Sequence, residues 1–96
     1  MSNMLTRYKL TILYMLDRAS IPLSNTQIAN FFLEKEYTDY FNVQNVLSEL
    51  QELCMIIPRY TYHNTQYLLS VPGKNILQRL ADNLPSGMRA DVDDFL

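Results

Sequence analysis

Three segments whose apolar residues recur every three to four positions come first in the chain. They are followed by a change to β-branched and aromatic composition between residues 55 and 70, and then by further helical segments. Together these features predict a mainly α-helical domain carrying a β-hairpin. Three helices, a two-stranded hairpin and a following helix make the order of a winged helix-turn-helix. In that arrangement the second and third helices form the helix-turn-helix pair, the third is the recognition helix and the hairpin is the wing. A length of 96 residues has room for one such domain. We assign residues 1–82 to it and residues 83–96 to the start of a C-terminal helical extension.

The first helix is read from Leu5, Tyr8, Ile12, Leu16 and Ala19, one apolar stripe at helical spacing. Ser20-Ile21-Pro22-Leu23 interrupts it, because proline lacks a backbone donor and biases its predecessor away from helix. Ser24-Asn25-Thr26-Gln27 has the form of a capping box, in which the serine hydroxyl accepts from the Gln27 backbone and the Gln27 side chain reaches back. Ile28, Phe31 and Phe32 supply the buried face of the second helix, which ends near Lys35. Asp39 is the expected N-cap of the third helix, and Asn42 could also serve. That helix runs to about Cys54. Val43, Val46, Leu47, Leu50 and Leu53 face inward, and Gln44, Asn45, Ser48, Glu49 and Glu52 face outward. Tyr37, Tyr40 and Phe41 are expected to pack around the turn between the helices rather than to form a stacking platform for single strands.

Residues 55–62 and 66–70 are read as the strands of the wing. They join across His63-Asn64-Thr65, where Asn64 tolerates a positive φ. Pro58 points to an irregular start or an edge position for the first strand, and Tyr60, Tyr62 and Tyr67 are expected to pair across the hairpin. Pro72 suits the first turn of a fourth helix with Ile76, Leu77 and Leu80 turned inward, and the segment 83–87, with Pro85, ends it. Met88, Val92, Phe95 and Leu96 then fall on one helical face, which stops without a cap or polar finish. The expectation is that the natural chain continues and that this stripe is exposed and joins a second copy in a homodimer. Asp91, Asp93 and Asp94 are read as the solvated face of the same helix.

The formal net charge is −2, and it is unevenly spread. Residues 1–80 carry seven basic and six acidic groups, whereas residues 81–96 carry Asp82, Asp91, Asp93 and Asp94 against Arg89. The slight positive balance of the first part is small for a nucleic-acid binder. The single cysteine, Cys54, excludes an intrachain disulfide and reads as a small core residue at a helix end. One cysteine and one histidine, His63, fall short of a metal set, and two distant glycines make no phosphate-cradling loop. Neither an enzyme nor a cofactor or metal is expected. No apolar run reaches membrane-spanning length, and Met1-Ser2-Asn3-Met4 lacks the features of a signal peptide, so the expected compartment is the cytoplasm.

Leu47 and Leu50, followed by Met55-Ile56, resemble the Leu-x-x-Leu-x-x-x-Gly-Leu-Ile signature of MarR- and PadR-type transcriptional regulators, with Cys54 where those families have glycine. Tyr67-Leu68-Leu69-Ser70 followed by Gly73 resembles their Tyr-x-Leu-Thr-x-x-Gly, which leads from the wing into the next helix. A closer resemblance rests on Ile21-Pro22-Leu23-Ser24-Asn25, Tyr37-Thr38-Asp39-Tyr40-Phe41, Gln44, Leu47-Ser48-Glu49-Leu50 and the stretch from Leu84-Pro85 to Arg89. These residues look like an uncharacterised bacterial winged-helix family, a domain of unknown function whose members run on into a further C-terminal segment. That resemblance implies the fold and supplies no biochemistry.

A recognition helix reads base edges in the major groove through side chains that match their donors and acceptors. Asn42, Gln44, Asn45 and Ser48 are the candidates for base contact. Lys35, Arg59, Thr61, His63, Asn64 and Thr65 are the candidates for contact with the phosphate backbone. Against them stand the lack of any Lys or Arg on the third helix and the presence there of Glu49 and Glu52. The expected function is a DNA-binding transcriptional regulator, dimeric on double-stranded DNA. The alternative is a winged-helix module that binds protein and not DNA. Salt dependence separates the two, because only phosphate contacts release counterions.

Overall fold

The computed structural model describes residues 3–96. Its elements run α1 (Asn3–Ala19), β1 (Leu23–Ser24), α2 (Asn25–Glu34), α3 (Tyr40–Glu52), β2 (Ile56–Tyr60), β3 (Thr65–Leu69), α4 (Val71–Arg79), a 3-10 turn (Ala81–Asn83) and α5 (Ser86–Phe95). This is a winged-helix arrangement: mainly helical, with a small antiparallel sheet in the order β1-β3-β2. The sheet has three strands rather than the two expected, because Leu23 pairs with Tyr67 and Ser24 with Gln66. Two residues after Pro22, the second of them a helix cap, carry too little periodicity to be read as a strand.

α1 is the centre of the molecule. Tyr8, Leu10, Thr11, Ile12, Leu13, Met15 and Leu16 are all buried, so the helix is covered on more than one face. It packs against α3, α4, α5 and β3. The buried Thr11 hydroxyl is satisfied by donating to the Arg7 carbonyl at 2.6 Å. α1 stops at Ser20, which takes a left-handed conformation with φ 58° before Pro22.

Ser24 serves two elements. It pairs in the sheet, and it caps α2 by accepting from the Gln27 N–H at 3.0 Å while its own N–H donates to Gln27 Oε1 at 2.8 Å. Ile28, Ala29, Phe31 and Phe32 fill the core from α2. Asp39 caps α3 through the Asn42 N–H at 2.8 Å, so of the two expected caps it is Asp39 that acts.

The ends of α2 and α3 are built alike. After α2, the Tyr37 N–H donates to the Phe32 carbonyl at 2.9 Å, and the Glu36 N–H to that of Leu33. After α3, the Met55 N–H donates to Leu50 at 2.9 Å, and the Cys54 N–H to Gln51. Both are Schellman motifs, which need a left-handed residue just past the helix. Glu36 (φ 58°) and Cys54 (φ 60°) occupy those positions. Cys54 is therefore exposed at a turn and not a core residue, and Leu53 beside it is also exposed.

β2 is an edge strand and contains Pro58, as expected. The tyrosines do not pair across the hairpin: Tyr60 faces Thr65, Tyr67 faces Pro58 and is buried, and Tyr62 lies in the turn. Ser70 caps α4 through the Gly73 N–H, and its hydroxyl also donates to the Cys54 carbonyl at 2.7 Å. This hydroxyl ties the start of α4 to the end of α3.

No break in the core falls at residue 82. Leu84, Met88 and Val92 belong to the same buried cluster as α1. The expected exposed stripe on α5 is thus a correction: Met88 and Val92 are buried within the chain, Phe95 packs edge-on to Phe31 at 5.4 Å, and only Leu96 is exposed. The three carboxylates of α5 also grip the body. Asp91 accepts from the Tyr37 hydroxyl, Asp93 from the Tyr14 hydroxyl at 3.0 Å, and Asp94 lies 3.3 Å from Lys35 Nζ. Arg18 adds an ion pair to Asp93 at 3.3 Å.

Candidate nucleic-acid interface

α3 turns Val43, Val46, Leu47 and Leu50 into the core. On a helix of 3.6 residues per turn the positions opposite them are Phe41, Asn45, Ser48 and Glu52, and all four are exposed. With Asn42, Glu49, Leu5 and Val46, three of these (Asn45, Ser48 and Glu52) line a shallow depression of about 320 Å³.

The flanks of this stripe are engaged within the chain. Glu49 Oε1 lies 3.0 Å from Lys9 Nζ on α1, so a neighbour offsets its charge and weakens its repulsion of phosphate. Gln44 forms a reciprocal amide pair with Asn25: Asn25 donates at 2.8 Å and accepts at 2.7 Å. Asn25 also donates to the Tyr67 hydroxyl at 3.4 Å, which joins α2, α3 and β3. Asn42 donates through its side chain to Thr38 Oγ1 at 2.9 Å. Of the four residues expected to contact bases, Asn45 and Ser48 therefore stand free at the apex. Asn42 commits one amide hydrogen to Thr38 and keeps the other together with its carbonyl oxygen, whereas Gln44 is held by its reciprocal pair with Asn25.

The wing supplies the second part of the surface. Arg59 is exposed on β2 and takes part in none of the ion pairs among the described residues. Thr61 and Asn64 spend their polar atoms on the turn itself. Thr61 Oγ1 donates to the Asn64 carbonyl at 2.8 Å and accepts from the Asn64 N–H at 3.1 Å. With that bond in place Asn64 needs no positive φ and adopts none. His63 packs edge-on to Tyr62 with ring centroids 4.7 Å apart, and Thr65 sits half-buried in β3. Lys35 is paired with Asp94 at 3.3 Å, so a phosphate contact would exchange one anionic partner for another.

Residues 8–96 match the family described as Domain of unknown function (DUF4364). The chain belongs to the DUF4364 family. The match reaches from Tyr8 in α1 to the end of α5, and so takes in both halves of the candidate surface. No curated protein and no solved structure matches this DUF4364 chain.

The surface of the DUF4364 domain holds residues that sequence reasoning placed elsewhere. Tyr40 and Phe41, expected in the core, are exposed, Phe41 at 72%. Only Tyr37 of that segment packs inward, stacked on Phe31. Phe41 was detectable from the inner face of α3, since counting back from Ser48 and Asn45 at helical spacing places it on their side. Tyr60 and Tyr62 are exposed at 73% and 95% on the wing. Among the described residues, no group of three or more His, Cys, Asp or Glu could hold a metal ion, and no helix is long and apolar enough to cross a membrane. Two tyrosines have raised pKa values, both at the α5 contact. Burial and the hydrogen bond to Asp91 push Tyr37 up to about 12, and burial together with Asp93 raises Tyr14.

Proposed function

We propose that this domain is the DNA-binding part of a transcriptional regulator related to the MarR and PadR types, with α3 in the major groove and the wing on the phosphate backbone. The observation that carries the reading is the outer stripe of α3. Asn45 and Ser48 present hydrogen-bonding groups at the apex of a helix that leads directly into a wing with a free Arg59. The offset of Glu49 by Lys9 removes part of the electrostatic objection. The signature residues support the relationship in physical terms: Leu47 and Leu50 hold α3 in the core, and Gly73 and Ser70 seat α4 against the end of α3. Two copies on a two-fold site would double the sparse positive charge, and they would meet through a surface other than the inward face of α5.

The test is fluorescence anisotropy of mixed-sequence duplex DNA at low and moderate salt, with Arg59→Glu alongside. Binding that falls with salt and weakens in the variant supports the reading. Few phosphate contacts give a shallow salt slope, because the slope scales with their number. Absence of binding at low salt removes the proposal.

A protein-binding module is the second reading, favoured by the exposure of Tyr40, Phe41, Tyr60 and Tyr62 and by the acidic Glu49 and Glu52 on α3. Aromatic residues are enriched at protein interfaces. This reading gains if duplex DNA is not bound and a protein partner is lost on Phe41→Ala.

A further inference from the structure

Building on the proposed DNA-binding role, we infer that α3 selects A·T base pairs, with Asn45 reading adenine and Phe41 packing on the thymine methyl group. The argument is one of elimination on the α3 surface. Guanine is most often read by Arg or Lys through O6 and N7, and α3 carries neither. Adenine is read by Asn or Gln through N6 and N7. Of the four amides on α3, Gln44 is closed into its pair with Asn25, Asn42 on the flank has one amide hydrogen engaged by Thr38, and Gln51 is half-buried near the end of the helix. Asn45 is the amide at the apex of the stripe, its side chain is in no hydrogen bond among the described residues, and it presents the donor and the acceptor that the bidentate contact requires. Phe41 lies one helical turn before it, on the same side and 72% exposed. The thymine C5 methyl is the apolar feature of the major-groove edge, and a phenyl ring is among the groups that contact it. Ser48, next along the stripe, tolerates several bases, and Glu52 at the far end can accept only from a donor such as cytosine N4.

The test is selection of bound sequences from a random duplex pool by the 96-residue chain, followed by anisotropy on the selected duplex. The expected motif contains an A·T pair whose replacement by G·C weakens binding roughly tenfold. Asn45→Ala should bind both duplexes alike, with the salt slope unchanged, and Phe41→Ala should flatten discrimination at a neighbouring thymine. Both side chains are exposed, so thermal unfolding of the variants should match that of the parent. A G·C motif, or an A·T preference that survives Asn45→Ala, overturns this assignment while leaving DNA binding intact. Failure to bind any duplex overturns the assignment together with the function on which it rests.

Discussion

A Cβ atom at position 73 would lie 2.1 Å from the carbonyl oxygen of Met55. That oxygen accepts the Ser70 N–H at 3.2 Å, and the neighbouring Cys54 carbonyl accepts the Ser70 hydroxyl, so the backbone there has little freedom to yield. Gly73→Ala should destabilise the fold by at least about 1–3 kcal/mol, the range for forced overpacking. In a domain of this size that lowers Tm by roughly 4–8 °C per kcal/mol. Gly87 in α5 is the control. Nothing lies within 4 Å of a Cβ there, and Gly87→Ala should raise Tm slightly. Thermal unfolding followed by circular dichroism measures both.

Glu36 and Cys54 occupy left-handed positions that favour glycine. Left-handed backbone costs an L-residue about 1–2 kcal/mol, partly offset because glycine has more freedom to lose on folding. Cys54→Gly and Glu36→Gly should each stabilise by up to about 1 kcal/mol, measured by urea denaturation. A loss of stability in both would show that the two turns do not carry the strain their φ angles imply.

Tyr37 makes stability depend on alkaline pH. Its folded pKa is raised to about 12, from an ordinary 10.0, by burial and by Asp91. The unfolded chain therefore gives up this proton first, and the contribution of Tyr37 is complete below pH 10 and declines as pH climbs towards 12. Tyr14, also raised, acts in the same sense. Tm should fall over this window, and Tyr37→Phe should flatten the fall even if it lowers Tm at neutral pH.

The seat of α5 rests on Val92 more than on its charges. Val92 is fully buried, whereas the pair of Lys35 and Asp94 is partly exposed. Val92→Ala should cost about 1–3 kcal/mol and Lys35→Ala less than about 1 kcal/mol. Because Asp94 holds Lys35, its loss should also change DNA affinity far less than that of Arg59. Equal effects of Lys35→Ala and Arg59→Ala in the anisotropy assay would show that Lys35 leaves Asp94 to meet phosphate.

The helices and the wing were legible because their signals are local. The capping box at Ser24, the Asp39 cap, the inner face of α3 and the edge position of Pro58 all lie within a few residues of sequence. What escaped depends on distant partners. β1 exists only because Leu23 meets Tyr67. Cys54 looked apolar by its neighbours, but the Schellman bonds turn it out to solvent. At the candidate site, residue types were readable and availability was not. Nothing in the local sequence shows that Gln44 is closed by Asn25, nineteen positions earlier, or Lys35 by Asp94, fifty-nine positions later.

The contacts of α5 with α1 bear on the order in which the molecule is made. Tyr14 meets Asp93, and Thr11 lies against Met88, across separations of 79 and 77 residues. During synthesis α1 emerges from the ribosome well before α5. One side of the central helix thus stays uncovered until nearly the whole domain has been translated. Contacts this far apart in sequence close late, because the loop entropy must be overcome before they add stability. An amphipathic α1 that is apolar on several faces is in the meantime a ready target for chaperones. α5 then acts as the latch that ends that exposure.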